Sequence, residues 1–126
     1  MDSSAAIRSY KDLVAWQKSV DLVEAVYVAT RSWPREEIYG LTLQVRRAVV
    51  SVSSNIAEGQ GRAAIREFVH HLRIARGSLF EVETQLIIAQ RLGYIDPNHA
   101  NVFLSQVAEV SRLLSGLLRS LSATNT

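Results

Sequence analysis

The sequence predicts an all-α protein, an antiparallel up-down-up-down four-helix bundle. Three observations carry this. Four segments repeat apolar residues every three or four positions, the period of an amphipathic helix. No stretch keeps the apolar alternation of a strand, and the two prolines, Pro34 and Pro97, fall at segment starts. The connections "SWP", "GQG" and "GYI" are short enough only to turn one helix back along the next.

The first helix is expected over about 10–31, with Leu13, Trp16, Val20, Val23 and Tyr27 as its apolar stripe and Ser9 and Asp12 as a capping box. The second, about 35–58, carries Ile38, Leu41, Val45, Ala48 and Val52, then Asn55 at the stripe's edge. Pro34 precedes it, and Glu36 and Glu37 suit the positive end of its dipole. The third, about 62–92, runs Phe68, Leu72, Ala75, Leu79, Val82, Leu86 and Ala89, with Gly93 as its left-handed terminator. The fourth, about 97–121, runs Phe103, Val107, Val110, Leu114, Leu117 and Leu121 behind an Asp96 cap and Pro97 at the first helical position. The closing "SATNT" reads as a frayed end, and residues 1–126 form one domain with no repeat.

At 126 residues, with 48% hydrophobic and 21% charged, the chain can bury a core and is not a disordered segment. Cysteine is absent, which excludes disulfides and thiolate metal sites. The start, "MDSSAAIRSY", lacks the basic and apolar regions of a secretory signal, and no uncharged apolar run of about 18 residues exists to span a membrane, so a cytoplasmic protein is expected. Net charge is only +2, but of the fourteen Lys and Arg residues only Lys11 and Lys18 are lysines. Arginine's planar fork suits phosphates and carboxylates alike.

The stretch "SVSSNIAEGQGR", Ser51–Arg62, has the look of a phosphate loop. It lacks the preceding strand, the glycine spacing and the Lys-Ser/Thr pair that such a loop needs. Physics reads it as a helix junction. The second helix ends near Glu58, Gly59 takes the left-handed conformation, and Gly61 frees the chain to turn again. Glu58 opposes the helix dipole there, and Arg62, four residues on, offsets it. The Asn55 amide is placed to bond carbonyls or N–H groups of the junction. A small-anion site at the same junction is the other reading.

The blocks "YKDLVAWQ", "YGLTLQVRRAVVSVSSNIAEGQGR", "REFVHHLRIARGSLFEVETQL" and "LGYI" come in this order from about Tyr10 to Leu121. They resemble the four-helix bundle family encoded in intervening sequences of bacterial large-subunit ribosomal RNA genes. "NIAEG" and "ARGSLFEVETQL" are the distinctive blocks. That family is similar in fold to the accessory variability determinant of diversity-generating retroelements, a ring-like homopentamer that binds nucleic acid and partners a reverse transcriptase. The resemblance implies the fold and a ring of five. It implies a nucleic-acid or nucleoprotein role more loosely, because the ribosomal-RNA branch has no settled activity.

Stepping residues around the third helix at roughly 100° each puts Arg62, Arg66, His70, Arg73 and Arg76 in one outward stripe. One reading is a solvated helix face. The other is a phosphate-binding ridge, with Arg46 and Arg47 of the second helix as additions. The stripe continues in apolar residues, Phe80, Thr84, Ile87 and Ile88, while Leu43, Val50 and Ala57 recur every seven residues on the second helix. A second apolar face exceeds what a lone bundle buries and predicts a homo-oligomer interface through Leu43, Val50, Phe80, Ile87 and Ile88. Gly77 and Ser78, small residues in mid-helix, predict close approach of another helix such as Ser51–Ser54.

No catalytic constellation emerges. The histidines are His70, His71 and His99, and Glu67 with His70 is a lone Glu-x-x-His where a di-iron bundle needs two. Glu81 and Glu83, two apart, diverge around the helix and make no acid pair. No metal, cofactor or small-molecule substrate is expected. The reading is a non-enzymatic oligomeric protein that binds RNA or DNA backbone through Arg62, Arg66, Arg73, Arg76, Arg46 and Arg47. Its rival is a protein-interaction or assembly scaffold that never meets nucleic acid, whose arginines pair with Glu58, Glu67, Glu81 and Glu83 across subunits.

Overall fold

The computed structural model describes residues 8–124. The residues that bear on a secretory signal, 1–7, and the last two of the "SATNT" end lie outside them. Ser9 and Asp12 form the expected capping box, but it caps a separate single 3-10 turn, Tyr10–Asp12. Leu13 is then extended, and helix α1 occupies Val14–Thr30. A second 3-10 turn, Arg35–Glu37, follows Pro34. Helix α2 is Leu41–Gly61, α3 is Ile65–Arg91 and α4 is Pro97–Thr124. Among the described residues the protein is all-helical, with four α-helices and no strand.

Besides the later starts of α1, at Val14 rather than near 10, and of α3, at Ile65 rather than near 62, three boundaries differ from the sequence reading. Helix α2 begins at Leu41 rather than near 35 because the Glu37 carboxylate accepts the Leu41 N–H at 3.1 Å and starts the helix there. Its would-be first apolar residue, Ile38, is left exposed outside the helix. At the other end α2 runs past Glu58 to Gly61, and Ala63, at φ 59°, makes the left-handed turn into α3. Helix α4 continues three residues past the expected Leu121, to Thr124.

The α3–α4 connection follows expectation. Gly93 takes φ 82°, its N–H bonds the Gln90 carbonyl at 3.0 Å, and the Tyr94 N–H bonds the Ala89 carbonyl at 2.9 Å. Asp96 caps α4 by accepting the His99 N–H at 2.9 Å. That backbone hydrogen bond, and then the His99 ring, hold the Asp96 carboxyl below its ordinary pKa. The Tyr94 hydroxyl donates to Glu37 at 2.8 Å and its ring leans on buried Trp33, so the α1–α2 and α3–α4 connections close the same end of the molecule.

The core takes the predicted faces of α2, α3 and α4. Val45, Val52, Leu72, Leu79, Leu86 and Leu114 are among its fully buried members. The face of α1 is rotated from the predicted one. Ala15, Ser19, Leu22, Val26 and Thr30 are buried, whereas Trp16, Val20 and Val23 are half-buried and Tyr27 is exposed. The small side chains let α1 lie close to the core, and the large amphipathic rings cover its rim. Trp16 meets Tyr10 edge-on at 5.2 Å, and Tyr27 lies under a guanidinium. Helix α2 packs between α1 and α3, and α4 packs on both α3 and α1.

Candidate nucleic-acid interface

The stretch Ser51–Arg62 is a packing seam. Ser51, Asn55 and Gly59 recur every four residues on α2 and so share one face. Asn55 donates its amide N–H to the Ser51 carbonyl at 2.9 Å and to the Ser51 hydroxyl at 3.1 Å. Its Oδ1 accepts from His71 Nδ1 at 3.0 Å, which fixes the ring as the Nδ1–H form. Ser51 and Ser78 share a hydroxyl–hydroxyl hydrogen bond at 2.9 Å. Ser51 thus meets Ser78 while Asn55 meets His71, so α2 and α3 run in opposite directions along the seam.

Gly59 is buried inside α2 and is not left-handed. A Cβ there would stand 2.7 Å from the His71 Cβ and 3.1 Å from the Phe68 ring. The glycine is needed for close approach of α3. Gly61 ends the helix in open space. Ser78 makes the contact expected of the small pair on α3, but Gly77 is exposed with nothing near it. Asn55 and Gly59 thus take part in the α2–α3 packing, Glu58 pairs with Arg62 on the exposed side, and Gly61 ends the helix.

The predicted ridge divides. The Arg62 guanidinium donates to Glu58 at 2.8 Å, the compensation the sequence foresaw. That bond, and then the nearby His71, hold the Glu58 carboxyl below its ordinary pKa, and the same bond raises Arg62. Arg46 leaves the ridge. Its Nε donates to the Thr30 hydroxyl at 2.8 Å, and its guanidinium lies 4.6 Å over the Tyr27 ring, so it ties α2 to α1. Arg47, Arg66 and Arg73 are exposed and Arg76 is half-buried. None of these four makes an ion pair among the described residues.

Arg73 and Arg76 line a cleft between α3 and α4 of about 400 Å³, with Ser115, Leu118, Arg119 and Ser122 on the α4 side. Among the described residues no carboxylate lines it. Arg119 is missing from the sequence reading, although a signal for it existed. With the turn at Gly93–Asp96, folding α4 back along α3 brings residues near 117 beside Arg73. A larger groove of about 760 Å³, between α1 and α4, has the opposite character. Asp21, Glu24 and Asp96 stand around apolar Val28, Ile95 and Phe103, a lining that repels phosphate.

The apolar outer residues lie where expected. Val50, Phe80, Ile87 and Ile88 are exposed, Phe80 at 54%, and Leu43 is half-buried. Ile74, which the sequence reading passed over, is exposed on α3 as well. Among the described residues no group of three or more His, Cys, Asp or Glu is placed to hold a metal ion, and no helix is long and apolar enough to cross a membrane.

Four α-helices and no strand among the described residues define a small all-α protein. The chain belongs to the 23S rRNA-intervening sequence protein family, which matches residues 11–116. It is also similar to a solved structure from Bacteroides thetaiotaomicron, described as a protein of unknown function from the S23 ribosomal protein family. The two share 23% identity over 83% of this chain and 98% of that one, with a TM-score of 0.75, a likeness that speaks to the fold. No curated protein matches.

Proposed function

We propose that the chain is a non-enzymatic, cytoplasmic, oligomeric protein that binds nucleic acid through backbone phosphates. The observation that carries this is the set of arginines without carboxylate partners among the described residues, Arg66, Arg73 and Arg76 on α3, with Arg47 on α2. A pure scaffold would fork such arginines onto its own acids, as Arg62 forks onto Glu58. The family's tie to ribosomal RNA genes supports the same direction.

The fold in this reading is an up-down-up-down bundle. Its helices pack in chain order and α4 closes on α1. Exposed Val50, Ile74, Ile87 and Ile88 support a homo-oligomer, a ring of five by the resemblance. In a ring each weak arginine contact is multiplied, and the assembly gains avidity. The same apolar face is what favours the second reading, a protein-interaction scaffold with no nucleic-acid role.

Purified protein is titrated into labelled structured RNA and duplex DNA at two salt concentrations, with solution mass measured on the same sample. With four phosphates neutralised, affinity falls about 100-fold between 50 and 200 mM salt. Replacing both Arg66 and Arg73 by glutamate abolishes binding. An oligomer that binds neither nucleic acid at the lower salt overturns the reading in favour of the scaffold.

A further inference from the structure

Three arginines line the α3–α4 cleft. Arg73 and Arg76, three residues apart, are neighbours on the surface of α3, and Arg119 lines the cleft from α4. None of the three makes an ion pair among the described residues, and no carboxylate lines the cleft. Three like charges held together repel one another, and the repulsion is relieved when an anion enters. Arg76 is half-buried, so its field is less screened than that of a free surface arginine. The Ser115 and Ser122 hydroxyls add donors that suit an oxyanion.

We propose that this cleft seats the terminal phosphate of a nucleic-acid strand, a phosphomonoester in preference to the diester of the chain interior. The proposal rests on the nucleic-acid reading above and says which part of the ligand the cleft takes. Charge decides between the two phosphate classes. A diester carries one negative charge, and a monoester carries close to two near neutral pH, with three oxygens free to accept. Attraction scales with the product of charges, so a triply cationic cleft gains more from the monoester. Each guanidinium fork can also take its own oxygen pair.

Shape points the same way. A concavity of about 400 Å³ is at the scale of a small-ligand pocket and accepts the end of a strand. Exposed Arg66, about two helical turns before Arg73 on α3, is placed to touch the backbone that leads away from that end.

The test uses one single-stranded RNA sequence with three ends, namely a 5′-phosphate, a 3′-phosphate, and hydroxyls at both ends. The strand with the preferred phosphate binds at least about tenfold tighter than the hydroxyl-ended strand, the worth of one charge-assisted hydrogen bond. Arg119→Gln removes that advantage and leaves the hydroxyl-ended affinity nearly unchanged. Arg66→Gln weakens all three strands alike and keeps the advantage. Arg119→Lys, which keeps the charge and loses the fork, restores part of it. Circular dichroism of each variant confirms intact helices. If the three strands bind equally, or the advantage survives Arg119→Gln together with Arg76→Gln, the terminal seat is overturned and the backbone reading stands. If no strand binds, both are overturned.

Discussion

Helix α3 has two polar flanks, and they differ in kind. On the α2 side Ser78 and His71 meet Ser51 and Asn55, and each of these polar contacts finds its match inside the molecule. On the α4 side Arg73, Arg76 and Arg119 line one cleft, and none finds an ionic match among the described residues. Both flanks look alike in one dimension, as polar residues at helical spacing. The difference lies in satisfaction. A buried network whose members satisfy one another rigidifies a contact, whereas unmatched like charges leave free energy for a ligand to recover. The stretch that most resembles a site in the sequence, Ser51–Arg62, is the satisfied one.

The largest effect that separates the flanks is expected at Gly59. Gly59→Val drives a branched side chain into the His71 Cβ and the Phe68 ring, and over-packing of this kind costs about 3 kcal/mol. Denaturant unfolding measures it, and a variant as stable as the parent breaks the close-approach account. Next comes Asn55→Ala, which strands the His71 Nδ1–H and part of the Ser51 hydrogen bonding at a cost of about 2 kcal/mol. Loss of less than about 0.5 kcal/mol would mean that the polar seam does not hold α2 to α3.

Much of this fold was legible in the sequence, because helical period and end signals are local. The stripes of α2, α3 and α4, the Gly93 terminator, the Asp96 cap and the Arg62–Glu58 compensation are each set by residues a turn or less apart. What was hidden depends on a neighbour. Gly59 reads as a terminator until α3 is seen lying on it. Arg46 reads as a ridge residue until Thr30 and Tyr27 of α1 are seen beneath it. The rotated face of α1 follows from small residues that a hydrophobic stripe ranks low. Arg119 shows only when α4 is folded back along α3, because a cleft joins two helices and a wheel projects only one.

Gly77 sharpens the comparison from the open side of α3. It is exposed in mid-helix, and a Cβ there meets nothing within 4 Å. Gly77→Ala therefore gains about 1 kcal/mol of helix propensity with no packing cost. The same substitution at Gly59 has that gain to set against a clash at 2.7 Å, and loses. Thermal melts of the two alanine variants are expected to move in opposite directions. If both rise, α3 does not press on α2 at Gly59. If both fall, the outer face of α3 at Gly77 is covered in solution, and the oligomer contact includes it.

The smallest effect is the most discriminating, because it turns on sign and on salt. Arg119→Gln removes one of three like charges from the α4 flank and breaks no hydrogen bond or ion pair described for it. Relief of repulsion of this size is worth about 0.3 kcal/mol in favour of the folded state. Salt screens the repulsion already, so the gain is largest near 10 mM and shrinks as the Debye length falls toward about 8 Å at physiological ionic strength. Asn55→Ala is destabilising at every salt concentration, since what it loses is hydrogen bonding at the α2–α3 seam and not a repulsion that salt screens. Melting temperatures of both variants across a salt series separate the flanks. If Arg119→Gln is destabilising at low salt, that arginine has a carboxylate partner in the solution assembly, and the cleft is an ion-paired joint of the oligomer rather than a vacant seat for phosphate.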